Sequence, residues 1–143
     1  MRISDVLRQK GPAVATIAPD AMVHELVSNL RAHNIGAMVV TEGETVVGIV
    51  SERDIVRRLD ERGAELLVAR VREIMTSDVV TCTPDDTVDG LAEIMTERRI
   101  RHMPVVVDGR LTGIVSIGDV VKRRIDELET ERSALAKYIS GTR

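Results

Sequence analysis

The sequence predicts a mixed α/β (α+β) fold in which two repeats of β-α-β-β-α type pack about a pseudo-two-fold axis. Three observations carry this expectation. Gly48-Ile49-Val50-Ser51-Glu52-Arg53-Asp54 returns as Gly113-Ile114-Val115-Ser116-Ile117-Gly118-Asp119, 65 residues later. Residues 14–59 laid on residues 79–124 without a gap share 16 identities in 46 positions, where unrelated segments would share roughly three at ordinary residue usage. The apolar periodicities then follow in the same order in both copies. Each half, at about 70 residues, buries too little surface to be stable alone, so the two must share a body. Twin units imply twin crevices, and function is expected where the copies meet.

Each element has a local reason. Ile3, Val6 and Leu7 give one helical turn, which Gly11-Pro12 stops. Val14 to Ile17 reads as a short strand. Pro19-Asp20 opens a helix whose inward residues are Met22, Val23, Leu26, Val27 and Leu30. Strands at 37–41 and 46–50 flank a Glu42-Gly43-Glu44 hairpin. A helix runs from Ser51 to about Arg62 and breaks at Gly63. The linker, Ala64 to Met75, also reads as helical, with Val71, Ile74 and Met75 echoing Ile3, Val6 and Leu7 at an offset of 68. The second copy repeats the order. Val79 to Cys82 is a strand, and Pro84-Asp85 starts a helix with Val88, Leu91, Ile94 and Met95 inward. His102 to Val107 and Leu111 to Val115 are strands about an Asp108-Gly109 turn. The last helix starts at Ser116 and runs to about Tyr138. Its stripe of Val121, Ile125, Leu128, Leu135 and Ile139 either packs on the module or pairs with a second chain. The organisation expected is a first repeat over 1–65, a second over 66–124 and a helical extension over 125–143.

Composition narrows the function. The chain has 43% hydrophobic residues but one Tyr, no Phe and no Trp, so the core is aliphatic. That argues against single-stranded nucleic acid recognised by stacking. A net charge of −3 disfavours DNA and anionic lipid, which need a concentrated basic face. The single Cys82 excludes an internal disulfide and a cysteine-rich zinc site, and reads as a small buried hydrophobe. His24, His33 and His102 show no metal-ligand spacing. No apolar run has the roughly 18 residues of a membrane helix, and the N-terminus has no signal-peptide core. A soluble, cytoplasmic protein is expected.

The chemistry sits in the repeated motif. A strand running into a helix N-terminus presents backbone N–H groups and the positive dipole end to an anion. Ser51 and Ser116 hydroxyls there suit a phosphate oxygen. Asp54 and Asp119, three residues on, suit a vicinal diol, as carboxylates do with ribose. The same spacing also makes a capping box, in which Ser caps the third helical amide and the acid reaches back. Gly48 and Gly113 read equally as packing relief in a strand. The copies are unequal. Glu52-Arg53 in the first stands against Ile117-Gly118 in the second, and Arg98, Arg99, Arg101 and His102 stand against His33, Asn34, Gly36 and Ala37. Arg53 adds charge toward a polyphosphate; the arginine cluster either serves an extended ligand or complements a helix C-terminus.

The doubled Gly-hydrophobic-Val-Ser-x-x-Asp, each copy preceded by Thr-x-x-Pro-Asp (Thr16 to Asp20, Thr81 to Asp85), resembles a tandem pair of CBS domains, or Bateman module. The stretch Arg101-His102-Met103-Pro104-Val105 is similar to the family's second-repeat pattern. The chain resembles the stand-alone modules, up to about residue 124. The resemblance implies two clefts that hold adenosine-containing compounds: AMP, ADP, ATP, NAD or S-adenosylmethionine. It places Asp54 and Asp119 on ribose. It sets Ser51, Arg53, Ser116 and Arg101 near phosphate. It puts the backbone around Thr16 and Thr81, with residues near Gly36, Ala37, Met38, His102, Met103 and Pro104, beside adenine. It implies no catalytic residue, no metal and no catalytic cofactor. A homodimer and a regulated partner protein follow on the same analogy, with signalling or energy sensing by conformational or dimer change. A ligand-independent dimerisation or interaction module is the alternative. An enzyme is disfavoured, because no nucleophile–base pair, metal cluster or phosphate-binding loop stands out.

Overall fold

The computed structural model describes residues 1–11 and 13–141. The elements in order are α1 (Ile3–Lys10), β1 (Thr16–Ile17), α2 (Val23–His33), β2 (Ala37–Glu42), β3 (Thr45–Ser51) and α3 (Glu52–Arg62). A 3₁₀ segment (Gly63–Val68) and α4 (Val71–Ile74) lead to α5 (Val88–Arg98), β4 (His102–Val107), β5 (Arg110–Ser116) and α6 (Ile117–Gly141). The 65-residue repeat is reproduced residue for residue in the hairpins. Ala37 faces Ser51 and His102 faces Ser116; a bulge falls between Val40 and Thr41 and again between Val105 and Val106. Both hairpins turn through positive-φ residues, Gly43 in one and Asp108-Gly109 in the other.

One expected strand is missing. β1 pairs in parallel with β2, Thr16 to Val39 and Ile17 to Val40. Its counterpart at 79–82 is reduced to a single bridge, Cys82 to Val105. Pro104 stands where Val39 does, and a proline has no N–H to extend that ladder. The first repeat's own strand is also shorter than expected, at two residues rather than four.

The helices α2 and α5 start at Val23 and Val88, later than Pro19-Asp20 and Pro84-Asp85 suggest. Those entry turns do another job. The carbonyls of Pro19 and Ala21 accept from the amides of Arg72 and Val71 at 2.9 and 2.8 Å. The carbonyls of Pro84 and Asp86 accept from Ser4 and Ile3 at 3.0 and 2.9 Å. So α1 docks on the second repeat, and α4 docks on the first. Ile3 and Val6 lie in one core with Cys82, Val88, Leu91, Met95, Met103, Val105 and Val115. Leu66, Val71 and Ile74 lie in the other with Ile17, Val23, Leu26, Leu30, Met38, Val40 and Val50. Sequence segments and packing units therefore do not coincide. Cys82 is buried as expected; burial pushes its thiol up to about 12 and its Sγ meets the Pro104 carbonyl at 3.7 Å.

Two other expectations are corrected, and one alternative left open for α6 is narrowed. Val27 faces outward. The linker is a 3₁₀ segment and one short helix, broken by an extended Ala69-Arg70. The stripe on α6 is only half covered by the module: Val121, Ile125 and Leu128 are each 49% exposed and Leu135 is 59% exposed. No described helix is long and apolar enough to cross a membrane.

The two motif glycines are where the exchanged helices press on the strands. A Cβ on Gly48 would lie 2.5 Å from Met75 Sδ and 3.1 Å from the Thr76 carbonyl oxygen. A Cβ on Gly113 would lie 2.6 Å from Leu7 Cδ2. Leu7 is the end of a flexible side chain and can yield, whereas Thr76 O is backbone. Both alanine variants are expected to destabilise within the ~1–3 kcal/mol of overpacking, Gly48→Ala by more than Gly113→Ala. Urea midpoints of the two variants check the order.

Candidate ligand cleft between the repeats

Each motif serine ends a β-strand and caps the following helix. The Asp54 amide donates to Ser51 Oγ at 3.3 Å, and the Ser51 amide donates to Asp54 Oδ2 at 2.9 Å. The Ser51 hydroxyl adds a third bond to Oδ2 at 3.0 Å. In the second copy the Ser116 amide donates to Asp119 Oδ2 at 2.9 Å, and the Asp119 amide to Ser116 Oγ at 3.1 Å. The capping box is thus real at both sites. It does not exhaust the acid. A carboxylate has about four acceptor positions on two oxygens, and among the described residues only Oδ2 is engaged in either one. The cap holds the side chain in one orientation.

The helix N-termini are less open than a bare strand-to-helix turn suggests. The Glu52 amide donates to the Gly36 carbonyl at 3.0 Å, and the Ile117 amide to the Arg101 carbonyl at 2.8 Å. With the Asp54 amide on Ser51, the Arg53 amide is the first-turn donor of α3 without a described acceptor. Any phosphate here depends more on side chains than on the dipole.

Those side chains come from both repeats. A cleft of about 420 Å³ gathers Gly36, Ala37, Ser51, Glu52, Arg53 and Asp54 from the first repeat with Arg99, Ile100, Arg101 and His102 from the second. Arg57, one helical turn beyond Arg53, also lines it, as do Asp78 and Val80. Arg53, Arg57, Arg99 and Arg101 form no ion pair among the described residues. Elsewhere Arg58, Arg62, Arg72, Arg110 and Arg124 are each paired with an acid. Arg99 is also held at φ 55, where the first repeat has Asn34 at φ 52. Arginine occupies that left-handed region less readily than asparagine.

The remaining expected site residues fall elsewhere. Met38 and Met103 are 2% and 0% exposed and point into the two cores, and Pro104 is buried. None of the three lines the cleft. Thr16 borders a separate hollow of about 260 Å³ with Glu44 and Leu111. Thr81 is exposed and lines neither space. Ser116 and Asp119 lie at the opposite turn, where Asp119 Oδ2 meets Lys10 Nζ at 2.7 Å. Burial would push the Asp119 carboxyl up; the bonds from Lys10 and Ser116 outweigh it and hold the group below its usual value. Sequence reasoning missed Lys10, Arg57 and Asp78. Arg57 was within reach, four residues after Arg53 on a predicted helix. Among the described residues no cluster of His, Cys, Asp and Glu has the make-up of a metal site.

His102 sits between the two turns. Burial lowers its pKa from 6.5, and Lys10 and Arg101 push the same way against Asp119 and Glu52. The folded state thus favours the neutral ring. Below about pH 6.5 the unfolded chain binds more protons, so stability falls as pH drops through that range. His102→Gln is expected to flatten the decline in urea midpoint between about pH 6.5 and 5; an unchanged slope would assign it to other groups.

The comparisons agree with this geometry. The family model for the CBS domain matches residues 3–61 and 71–126. The mitochondrial CBS domain-containing protein CBSX3 of Arabidopsis thaliana is 36% identical, over 97% of this chain and 72% of its own length. The crystal structure of the CBS-domain containing protein ATU1752 of Agrobacterium tumefaciens is 47% identical with a TM-score of 0.84, covering 87% of this chain and 99% of that one. The CBS domain pair of protein MJ0100, solved with 5′-methylthioadenosine and S-adenosyl-L-methionine, is 29% identical with a TM-score of 0.76, covering 85% of this chain and 98% of that one. Two matched halves, two identically registered hairpins and two Ser–Asp turns have one explanation: the chain belongs to the CBS-domain proteins and carries a tandem pair of these domains.

Proposed function

We propose that the chain is a ligand-sensing regulatory module whose cleft between the repeats binds an adenosine-containing nucleotide. One observation carries the reading. The Ser51–Asp54 turn of one repeat shares a cleft with Arg99, Arg101 and His102 of the other, so a ligand there touches both halves at once. The adenosine compounds held by the CBS pair of MJ0100 support the same ligand class. In this assignment Asp54 Oδ1 accepts from the ribose diol. Ile49 and Ile100 supply apolar surface for the base, beside Gly36 and Ala37. Arg53 and Arg101 face the phosphates, with the Ser51 hydroxyl near them. The four guanidinium groups without an ion pair among the described residues favour AMP, ATP or NAD over the cationic S-adenosylmethionine. Binding acts as a signal through its different affinity for two arrangements of the repeats, which a partner protein reads. We assign no catalytic step.

Calorimetry and thermal unfolding test the site. A ligand that binds only the folded state raises its stability with concentration, so AMP, ATP and NAD are expected to raise Tm where S-adenosylmethionine raises it less. Asp54→Ala is expected to weaken nucleotide binding by about 1–3 kcal/mol, the range for a lost charge-assisted hydrogen bond. Arg53→Ala is expected to cost ATP and NAD more than AMP. Equal losses for all three would discard the phosphate role of Arg53, and no binding by the wild type at millimolar nucleotide would leave the alternative, a ligand-independent dimerisation module.

A homodimer belongs to either reading. Val56 on α3 and Val121 on α6 are related by the repeat offset of 65 and are 66% and 49% exposed, and Ile125 and Leu128 continue the apolar face along α6. A two-fold interface sets the same patch of one chain against itself, and an apolar patch carries no like charges to oppose that pairing. Ile125→Glu is expected to shift the chain from dimer to monomer in sedimentation velocity.

A further inference from the structure

The two Ser–Asp turns have the same cap but different neighbours, and the difference traces to the exchanged helices. At the offset of 68, Ile3–Lys10 corresponds to residues 71–78. The helix α4 stops at Ile74, and the chain leaves it to pair with β3: Ile49 and Thr76 exchange two backbone hydrogen bonds at 3.0 and 2.9 Å. The helix α1 does not stop at the matching place. It runs one more turn, to Lys10. Ile114 is the counterpart of Ile49, and its carbonyl accepts from Lys10 Nζ at 2.9 Å where Ile49 accepts from Thr76. The same ammonium donates to Asp119 Oδ2 at 2.7 Å.

The counterpart of Lys10 at this offset is Asp78, which lines the same open cleft as Asp54. An acid cannot neutralise another acid. Asp54 consequently has no cationic partner among the described residues, whereas Asp119 has one that is itself two-thirds covered.

We propose that Lys10 is the residue that makes the two half-sites unequal: its ammonium is an internal competitor for the charge of the Asp119 carboxylate, so the Asp54 cleft fills first and the Asp119 site more weakly. This rests on the reading of both aspartates as ribose acceptors. A diol approaching Asp119 must share the carboxylate with a tethered ammonium or expel it. Expulsion also strips the Ile114 carbonyl of its donor. At Asp54 neither cost arises, because the backbone of Thr76 already holds the strand edge.

The test uses a ligand without phosphate, so that Lys10 gains nothing by turning onto it. Adenosine is titrated calorimetrically into the full chain and into Lys10→Met, which keeps most of the stem and removes the charge. Lys10→Arg serves as the charge-retaining control, and Asp119→Ala in the Lys10→Met background locates the added site. Lys10→Met is expected to raise affinity at the weaker site by about tenfold, the scale of one charge-assisted hydrogen bond, while leaving the stronger site unchanged. The gain is expected to vanish in the double variant and to be absent in Lys10→Arg. Wild-type affinities in Lys10→Met, or a loss at the weaker site, would overturn the role of Lys10 and leave the cleft assignment standing. No adenosine binding by any of the four proteins would overturn the ribose reading and this proposal with it. Unfolding by urea without ligand shows whether each variant is folded at the titration temperature.

Discussion

The structure depends on a reciprocal loan of helices. Each hairpin and its long helix leave one side of the sheet open, and neither repeat covers that side with its own leading segment. Ile3 and Val6 close the core of the second repeat, and Val71 and Ile74 close the core of the first. Backbone hydrogen bonds from α1 and α4 to the Pro84 and Pro19 turns fix the depth of docking. Glycine at 48 and 113 lets the segments approach the strands closely. Because each half completes the other, separating them exposes two apolar cores at once, and the pair is bound to behave as one cooperative body.

This arrangement also positions the chemistry. The strands that the exchanged segments press upon, β3 and β5, are the ones that end at Ser51 and Ser116. Their registers set the Gly36 and Arg101 carbonyls against the first amides of α3 and α6. The cap then orients Asp54 and Asp119 through Oδ2 alone. In the proposed reading, capping and ribose binding are successive uses of one carboxylate. A side chain already immobilised by its own helix loses little further entropy on meeting a ligand.

Pseudo-symmetry sets up two equal turns, and single residues then break it. Pro104 in place of Val39 shortens a ladder. Arg99 and Arg101 in place of Asn34 and Gly36 load one cleft with cation. Lys10 against Asp78 reverses the charge beside the acid. The charged differences lie outside the cores, where both halves keep apolar residues at matching positions; Pro104 is the buried exception.

The order of most elements, the two hairpins and the Ser–Asp turns were legible in the chain itself, because each depends on neighbours a few residues apart: a 3.6-residue stripe, an Asp-Gly turn, a serine three residues before an acid. Repetition at an offset of 65 multiplied that local signal. What lay beyond reach depends on residues distant in sequence. The Thr-x-x-Pro-Asp stretches read as helix starts, yet their carbonyls are occupied by a segment about 50 or 80 positions away, and pairing of that range leaves no local trace. The covering of Met38 and Met103, the joining of Arg101 to Ser51 and the contact of Lys10 with Asp119 were decided only when α1 and α4 crossed between halves. The offset of 68 hinted at that slack, but where an extra helical turn delivers a charge is a matter of three-dimensional packing, which spacing along the chain does not encode.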